Sequence, residues 1–264
     1  MSLSLQIFTI VKNGQPWISH HLPVFHDLTV PWHWVIAHGT SAAVHDTAWM
    51  APQEPGLSTD GTTEFLAGLK NHPRVTVLER SIWDGKASQC NACLQAIEAR
   101  GIKECLLLEV DSDELWTAQQ LETLSGWFKE DSTVAAARFR CTFHVGMNIV
   151  TTTDDAYGNN PGEWLRAWRF KSGMRFVSHE PPNLAGNQGH ILSRDETTAA
   201  GLVFDHFSYC TEAQLRFKET AYRYPNALAQ WRRLQANTEW PVNRLKNFLP
   251  WVDDRATADL LIKP

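Results

Sequence analysis

The sequence predicts an α/β fold, with a mostly parallel sheet covered by helices and an antiparallel, less regular second half. Short apolar runs alternate with helical patterns in the first half, as in folds made of strand–helix units. Residues 105–110 ("CLLLEV") are apolar almost throughout, which is typical of a parallel strand covered on both faces. After Thr133, strand-like segments follow one another with polar loops between them.

Four strands and four helices are predicted in the first half. The strands cover residues 5–11, 33–37, 74–78 and 105–110, and a long polar loop covers residues 46–63. The helices cover residues 16–25, 62–70, 86–100 and 117–128. Cys90, Leu94 and Ile97 form the i, i+4, i+7 stripe of a core-facing helix side. Thr117 and Gln120 have the spacing of a capping box, which predicts a helix start.

In the second half, the pattern predicts strands within residues 134–150, 163–170 and 174–180, followed by two helices. These helices cover residues 211–223 and 226–235, and the first begins with another capping-box pattern, Thr211 with Gln214. The chain has no internal repeat, low-complexity tract or clear linker. We therefore expect one domain over residues 1–264.

The composition is that of an ordinary globular protein. With 43% hydrophobic and 20% charged residues, the chain is not of the disordered class. A net charge of −5 and the lack of a basic run give no reason to expect nucleic acid as a partner. The start of the chain lacks the basic flank of a signal peptide, and no apolar run approaches the roughly 20 residues of a membrane span. Five cysteines without framework spacing suggest a reducing compartment, so a cytoplasmic location is expected.

Three carboxylates follow the fourth predicted strand: Asp111, Asp113 and Glu114. Because acids packed this closely repel one another, a cation is expected beside them. If the strand stays extended, Asp111 and Asp113 point the same way and make a seat for Mg²⁺ or Mn²⁺. This edge of an open α/β sheet is also where ligands usually bind. Capping of the next helix is the alternative explanation for the acids.

Residues 83–116 resemble the central signature of family 2 glycosyltransferases of the GT-A type. In that family a Gly-containing loop opens a helix bearing an Asn, and the helix leads to a strand that ends in Asp-x-Asp. The segments "FTIVKNG" and "VIAHG" are similar to the family's start, although His38 and Gly39 stand where the usual family has an Asp-Asp-Gly-Ser type sequence. The segments "WRFKSGMRFVSHEPP" and "GLVFDHFSYCT" extend the likeness to the second half. The resemblance implies a GT-A-like, Rossmann-type αβα sandwich.

The resemblance also implies roles for the acids and for one histidine. Asp113 would bind Mn²⁺ or Mg²⁺, and Asp111 would hold the ribose or share the ion. His206, in "FDHFSY", would complete the coordination from the second half, and its imidazole suits Mn²⁺ better than Mg²⁺. A hydrogen-bonded structural histidine is the alternative for His206.

A further set of residues is expected to bind the nucleotide-sugar. Lys86 follows Gly85 at a helix start, where free N–H groups favour an anion, although a solvated lysine is the alternative. Asn91 would reach the nucleotide or bond to backbone. The resemblance completes this set as Thr9, Lys12, Asn13, His38, Gly39, Lys86, Asn91 and Asp111.

Transfer to a hydroxyl acceptor with inversion requires a base, for which we predict Glu180. Glu180 ends an apolar strand and precedes two prolines that stiffen the turn, and His179 would orient it or touch phosphate. The alternatives are Glu163 and the loop acids Asp154 and Asp155. Arg166 and Arg169 would engage the diphosphate or the acceptor, or form a surface ladder on a strand.

The predicted function is a metal-dependent glycosyltransferase that uses a nucleotide-diphosphate sugar. Residues 1–116 would bind the donor and residues 117–264 the acceptor, which would be a saccharide or another hydroxyl compound. A sugar-nucleotide pyrophosphorylase and an inactive glycan-binding or scaffold protein are the alternatives. An oxidoreductase is disfavoured because no G-x-G-x-x-G follows the first strand.

Overall fold

A computed structural model describes residues 3–262 of the chain, and two packed sheets form its frame. The described residues contain fourteen strands: β1 (Leu5–Val11), β2 (Trp32–Ser41), β3 (Val75–Trp83), β4 (Glu104–Glu109), β5 (Glu114–Leu115), β6 (Val134–Arg138), β7 (Arg140–Gly146), β8 (Ile149–Thr151), β9 (Leu165–Lys171), β10 (Arg175–His179), β11 (Pro182–Ala185), β12 (His190–Leu192), β13 (Val203–His206) and β14 (Ala258–Leu260). They also contain seven α-helices: α1 (His21–His26), α2 (Thr62–Leu69), α3 (Lys86–Ala99), α4 (Ala118–Glu130), α5 (Arg194–Ala199), α6 (Glu212–Ala221) and α7 (Ala227–Gln235). Short 3₁₀ turns cover Trp17–His20, His45–Thr47 and Leu245–Asn247.

The main sheet has seven strands in the order β12-β6-β9-β4-β1-β2-β3. All neighbouring pairs are parallel except the two that involve β9, which lies antiparallel between β6 and β4. The predicted α/β class with a mostly parallel sheet is therefore confirmed. Three strands from the second half extend this sheet, so the two halves of the chain share one core.

Helices cover both faces of the main sheet, as the near-continuous apolar strands predict. Ile7 of β1 packs into one core cluster and Phe8 into the other, because successive strand residues face opposite sides. Helix α3 covers the Phe8 face through the predicted stripe Cys90, Leu94 and Ile97, to which Cys93 is added. Helix α4 covers the opposite face with Leu121, Leu124 and Phe128.

Local signals predicted most element positions. Strand β1 has the predicted bounds, helix α3 ends one residue before the predicted end, and both predicted capping boxes are present, at Thr117 and Thr211. Strands β2 and β3 run longer than predicted. The segment 16–25 forms a 3₁₀ turn followed by the short helix α1, rather than one helix.

The second half differs from the prediction in its pairing. The segments expected to pair only antiparallel include β6 and β7, which pair in parallel with β12 and β13 respectively. Those partners are short and lie more than fifty residues further along the chain, outside the predicted strands. Helix α5 was also missed because it has six residues, although Ser193 and Glu196 form its capping box.

A second sheet, ordered β14-β8-β7-β13-β5, and the hairpin β10–β11 complete the frame. Strand β5 follows β4 after a turn and pairs antiparallel with β13. This pairing brings the second half of the chain to the carboxyl end of β4, where the acidic cluster lies. Among residues 3–262, none of the helices has both the length and the apolar character needed to cross a bilayer.

The carboxyl end of β2 requires glycine at position 39. Gly39 has φ +130°, and a Cβ atom there would lie 1.8 Å from the carbonyl oxygen of Arg80. We expect Gly39→Ala to lower the free energy of unfolding by at least about 2 kcal/mol, because backbone must shift to admit the methyl group. The matched control is Gly56→Ala, where a Cβ meets nothing within 4 Å. Urea unfolding of both variants checks this, and equal stabilities would refute the steric argument.

Candidate active site

A cavity of about 800 Å³ opens at the carboxyl ends of β1, β2 and β4. This volume lies in the upper part of the range for small-molecule sites, roughly 300–1,000 Å³. The opposite wall comes from the β10–β11 hairpin, from the end of β13 and from α6. The predicted site residues that line it are Lys12, Asn13, Gly39, Lys86, Asp111, Asp113, Glu180 and His206, and the further candidates Glu163, Arg166 and His179 line it as well.

Lys12 and Asn13 hold the long loop against the ends of β1 and β2. The ammonium of Lys12 donates to the Thr40 hydroxyl at 2.6 Å and to the Glu54 carbonyl at 2.8 Å. Burial lowers the pKa of Lys12 from its usual value, although Glu54 acts in the opposite direction. Asn13 has φ 59°, and its side-chain oxygen accepts a hydrogen bond from the Thr59 amide at 2.9 Å. These contacts fix the side chains of Lys12 and Asn13 at the end of the cavity beside β1 and β2.

Thr9 and His38 do not line the cavity, which corrects their predicted roles. The Thr9 side chain is fully buried and donates to the Val110 carbonyl at 2.7 Å, so it ties β1 to the end of β4. His38 is also fully buried and contacts the Ser58 hydroxyl at 2.9 Å. Burial lowers the pKa of His38 despite its contact with Glu79. Thr9 is therefore satisfied inside the fold, and His38 is held there by Ser58, with its Nδ1 3.6 Å from Glu79.

Asn91 is likewise committed to backbone, the alternative that the sequence left open. Its amide nitrogen donates to the Phe176 carbonyl at 2.9 Å, and its oxygen accepts from the Phe176 amide at 2.8 Å. This pair of bonds fixes α3 to β10. Since both polar atoms are used, Asn91 holds the hairpin in place rather than facing the cavity.

The cation that the acidic cluster requires is Arg166 of β9. Its guanidinium donates to Asp111 at 2.9 Å and to Glu114 at 2.7 Å, and it lies 3.5 Å from Glu109. Arg166 is 5% exposed, while Glu109 and Glu114 are fully buried. The surface-ladder interpretation of Arg166 is therefore wrong.

Arg169 was also a candidate for that surface ladder, and it is buried as well. Its guanidinium donates to the carbonyls of Val134, Phe128 and Asp131. Arg169 therefore holds backbone at the other side of β9.

Two of the acids around Arg166, Glu109 and Glu114, have pKa values shifted in opposite directions. Burial raises the pKa of Glu114 to about 7, since Asp111 adds to that effect and the shared Arg166 offsets only part of it. Burial also acts to raise the pKa of Glu109, but His179, Arg166 and Lys86 outweigh it and the net shift is downward. Within the cluster Glu109 is therefore ionised, whereas Glu114 is protonated in acid and loses its proton near neutral pH.

Asp113 faces His206 rather than Arg166. The chain turns after β4, and the amide of Phe207 donates to the Asp113 carbonyl at 2.8 Å, which extends the β5–β13 pairing. Asp113 Oδ1 lies 3.6 Å from His206 Nε2, too long for a hydrogen bond. Burial acts to raise the pKa of Asp113, but His206 and Lys218 lower it overall. Asp113 is therefore an ionised carboxylate next to an imidazole, inside the cavity.

Glu180 reaches the cavity beside Lys86, its partner in a direct ion pair. Burial acts to lower the pKa of Lys86, but Tyr222 and Glu180 raise it well above its usual value. The carboxylate of Asp46 accepts hydrogen bonds from the amides of His179, at 2.5 Å, and Glu180, at 2.8 Å. The prediction that Glu180 is presented by a rigid turn agrees with this geometry, and Asp46 was not identified from the sequence.

His179 contacts the acidic cluster rather than the Glu180 carboxylate. Its Nε2 lies 2.5 Å from Glu109, an acid inside the apolar strand β4 that was not among the predicted site residues. Cys90, Glu109 and His179 bring their potential ligand atoms within 4.8 Å of one another. Burial raises the pKa of Cys90 well above its usual value, so its thiol stays protonated and packs against the pair.

The alternative bases are placed differently from Glu180. Glu163 lines the cavity, and burial raises its pKa although Asn160 donates to it. The side chain of Asp154 is 83% exposed, and Asp155 pairs with Arg194 on the surface. Neither Asp154 nor Asp155 lines the cavity, so Glu163 is the alternative that remains.

The unusual pKa of Glu114 predicts a pH-dependent stability. In the folded protein the pKa of Glu114 is about 7, above the ordinary value of 4.5. Protonated Glu114 therefore makes its full contribution to the free energy of unfolding below about pH 4.5, and this contribution is lost as the pH rises through 7. We therefore compare the free energies of unfolding of Glu114→Gln and of the native protein. From pH 5 to pH 7 the value for Glu114→Gln should rise relative to the native value by on the order of 2–3 kcal/mol. Urea unfolding at several pH values measures the difference.

The exposed Glu130 at the end of α4 supplies the control for that series, as Glu130→Gln. Its stability difference from the native chain should not change over the same pH range. A constant difference for Glu114→Gln as well would mean that Glu114 is ionised throughout, against the burial argument.

Comparison with known structures finds partial likenesses. The chain is similar to S. aureus TarS 1–349 in complex with UDP-GlcNAc, with 16% identity and a TM-score of 0.39, over 54% of this chain and 35% of that one. It is similar to the mannosyltransferase PcManGT from Pyrobaculum calidifontis in complex with GDP-Man and Mn²⁺, with 22% identity and a TM-score of 0.39, over 53% and 36% of the two chains. A longer S. aureus TarS structure gives 13% identity and a TM-score of 0.43, over 87% and 42%. The chain thus spans less than half the length of each of these proteins.

Comparison with curated protein sequences finds no match. The model of the family described as "Glycosyl transferase family 2" matches residues 56–186, about half of the chain. The matched segment runs from the loop before α2 to the end of the β10–β11 hairpin, so it contains Lys86, Asp111, Asp113 and Glu180. This match places residues 56–186 of the chain in the glycosyl transferase family 2.

Proposed function

We propose that this protein is a metal-dependent glycosyltransferase that moves a sugar from a nucleotide-diphosphate sugar to a hydroxyl acceptor, with inversion. The observation that carries the proposal is the gathering of Asp111, Asp113, Lys86, Glu180 and His206 on one cavity. These residues come from segments far apart in the chain, yet together they supply acids, a cation and an imidazole at the edge of the sheet where ligands bind.

Asp113 and His206 form the core of the proposed metal site. A carboxylate oxygen and an imidazole nitrogen face each other at 3.6 Å, and this donor set suits Mn²⁺. Asp111 lines the same cavity, with one carboxylate oxygen on Arg166, so it would hold the ribose or join the coordination. When bound, the ion would act as a Lewis acid that stabilises the departing diphosphate.

The donor would lie along the part of the cavity wall formed by the ends of β1 and β2 and by the start of α3. Lys12, Asn13 and Gly39 line the end of the cavity beside β1 and β2, where we place the nucleoside. Lys86 stands at the start of α3, where backbone N–H groups and the helix dipole attract anions. We place the diphosphate between this helix start and the Asp113–His206 pair.

Glu180 is the proposed base. Inverting transfer needs a carboxylate on the acceptor side that takes the hydroxyl proton as the new glycosidic bond forms. The carboxylate of Glu180 lines the cavity, and its backbone is held by Asp46. In this arrangement residues 1–116 supply most of the donor contacts, and residues 117–264 supply the base.

Replacement of Asp113 tests the metal site. We expect UDP or GDP to bind the native protein more tightly with Mn²⁺ than without it. We expect Asp113→Asn to lose at least about tenfold of that Mn²⁺-dependent affinity, because one anionic ligand is lost. Isothermal calorimetry measures both. Asp84→Asn is the control, since the Asp84 side chain is 81% exposed and does not line the cavity. Equal Mn²⁺-dependent binding by Asp113→Asn and the native protein would contradict the assignment.

Replacement of Glu180 tests the base. We expect Glu180→Gln to slow release of nucleoside diphosphate from UDP- and GDP-sugars by about 10²–10⁴-fold. Nucleotide binding should change less than about threefold, because the amide keeps the size and position of the carboxylate. Glu163→Gln is the matched variant from the same cavity and should retain turnover. The opposite pattern, with Glu163→Gln inactive and Glu180→Gln active, would transfer the role to Glu163.

A further inference from the structure

Three of the aromatic side chains that line the cavity lie next to one another and have no role in the proposed donor binding: Trp49, Phe217 and Tyr222. The Trp49 and Tyr222 rings lie 5.1 Å apart, and the Phe217 and Tyr222 rings 5.5 Å apart. Trp49 is 48% exposed and Phe217 40% exposed, whereas most large apolar side chains of residues 3–262 are buried. We call these three residues the aromatic rim.

The aromatic rim is held in position by its surroundings. Trp49 follows the 3₁₀ turn His45–Thr47, and its neighbour Met50 is buried. The next amide, of Ala51, donates to the carbonyl of Ala221 at 2.8 Å, which fastens this loop to the end of α6. An exposed ring on a loop tied down in this way gives a preformed flat surface, so little conformational entropy is lost when a ligand binds.

The segment that carries Trp49 also positions the proposed base. Asp46, three residues earlier, accepts the amide hydrogens of His179 and Glu180. On the other side, Tyr222 lines the same cavity as Lys86, and Lys86 pairs directly with Glu180. The aromatic rim therefore lies on the Glu180 side of the cavity, where an acceptor hydroxyl would have to arrive.

Polar groups lie among the aromatic faces. The ammonium of Lys218 lies 4.5 Å from the ring centre of Tyr222 and 5.2 Å from that of Tyr209. Gln53 and Gln214 also line this cavity. A pyranose ring can stack its apolar C–H face on a flat indole. The hydroxyl groups around the ring can then form hydrogen bonds with the polar neighbours. An alkyl chain would instead need a continuous apolar groove.

We propose that the aromatic rim is the acceptor subsite and takes a pyranose ring of a saccharide acceptor, stacked on Trp49 with a hydroxyl group directed to Glu180. This inference rests on the proposed function and adds to it the chemical class of the acceptor. It requires that removal of the Trp49 ring weaken saccharide binding and leave nucleotide binding unchanged.

Saturation-transfer difference NMR tests the subsite with methyl glycosides of glucose, galactose, mannose and N-acetylglucosamine, in the presence of UDP and Mn²⁺. For at least one glycoside, the native protein should saturate the C–H protons of one ring face most strongly. We expect Trp49→Ala to weaken that binding about tenfold, as for loss of one stacked ring, and Trp49→Phe to restore most of it. Met147→Ala is the control, since Met147 is 59% exposed and does not line the cavity.

Two failures are distinguishable. If the native protein binds UDP with Mn²⁺ but saturates no methyl glycoside, or if Trp49→Ala binds glycosides as the native protein does, the subsite is refuted and the proposed function stands. Saturation confined to the alkyl chain of an octyl glycoside would also refute a saccharide site. If no UDP- or GDP-sugar binds or is turned over, the proposed function itself fails.

Discussion

One buried guanidinium, that of Arg166, makes the acidic end of β4 possible. Glu109, Asp111 and Glu114 all contact it, and two of these three acids are fully buried. Ionised carboxylates this close in a low-dielectric interior would be strongly destabilising without a cation, because their repulsion is little screened and their hydration is lost. The cation comes from β9, which runs antiparallel to β4 with Ala167 opposite Leu108, so the start of β9 lies at the acidic end of β4.

The same charges connect the two walls of the cavity. Glu109 contacts Arg166 on one side and His179 on the other, and the next residue, Glu180, pairs with Lys86 at the start of α3. The acids after β4 and the proposed base therefore belong to one network of ion pairs and hydrogen bonds. A cavity walled by such a network holds its polar groups in fixed positions, which is what catalysis by prearranged charges requires.

The local alternation of side chains does not continue past the end of β4. The alternation of side chains suggested that Asp111 and Asp113 share one face, but the extended geometry stops at Glu109 and a turn follows. The two acids consequently meet different partners, Arg166 and His206. Glu109 was overlooked although an acid inside an apolar strand is itself a signal that a buried cation lies nearby.

The sequence by itself determined the α/β class, the position of β1, the extent of α3, two helix caps and the strand end where the acids gather. These features depend on contacts between residues a few positions apart, so apolar periodicity and capping patterns suffice to predict them. Only the tertiary structure decided that Arg166 neutralises the acids, that Lys86 pairs with Glu180, and that Thr9, His38 and Asn91 serve the fold rather than the cavity. Those outcomes depend on which strands become neighbours, since strand order brings together charges that are far apart in the chain and gives no local trace in the sequence.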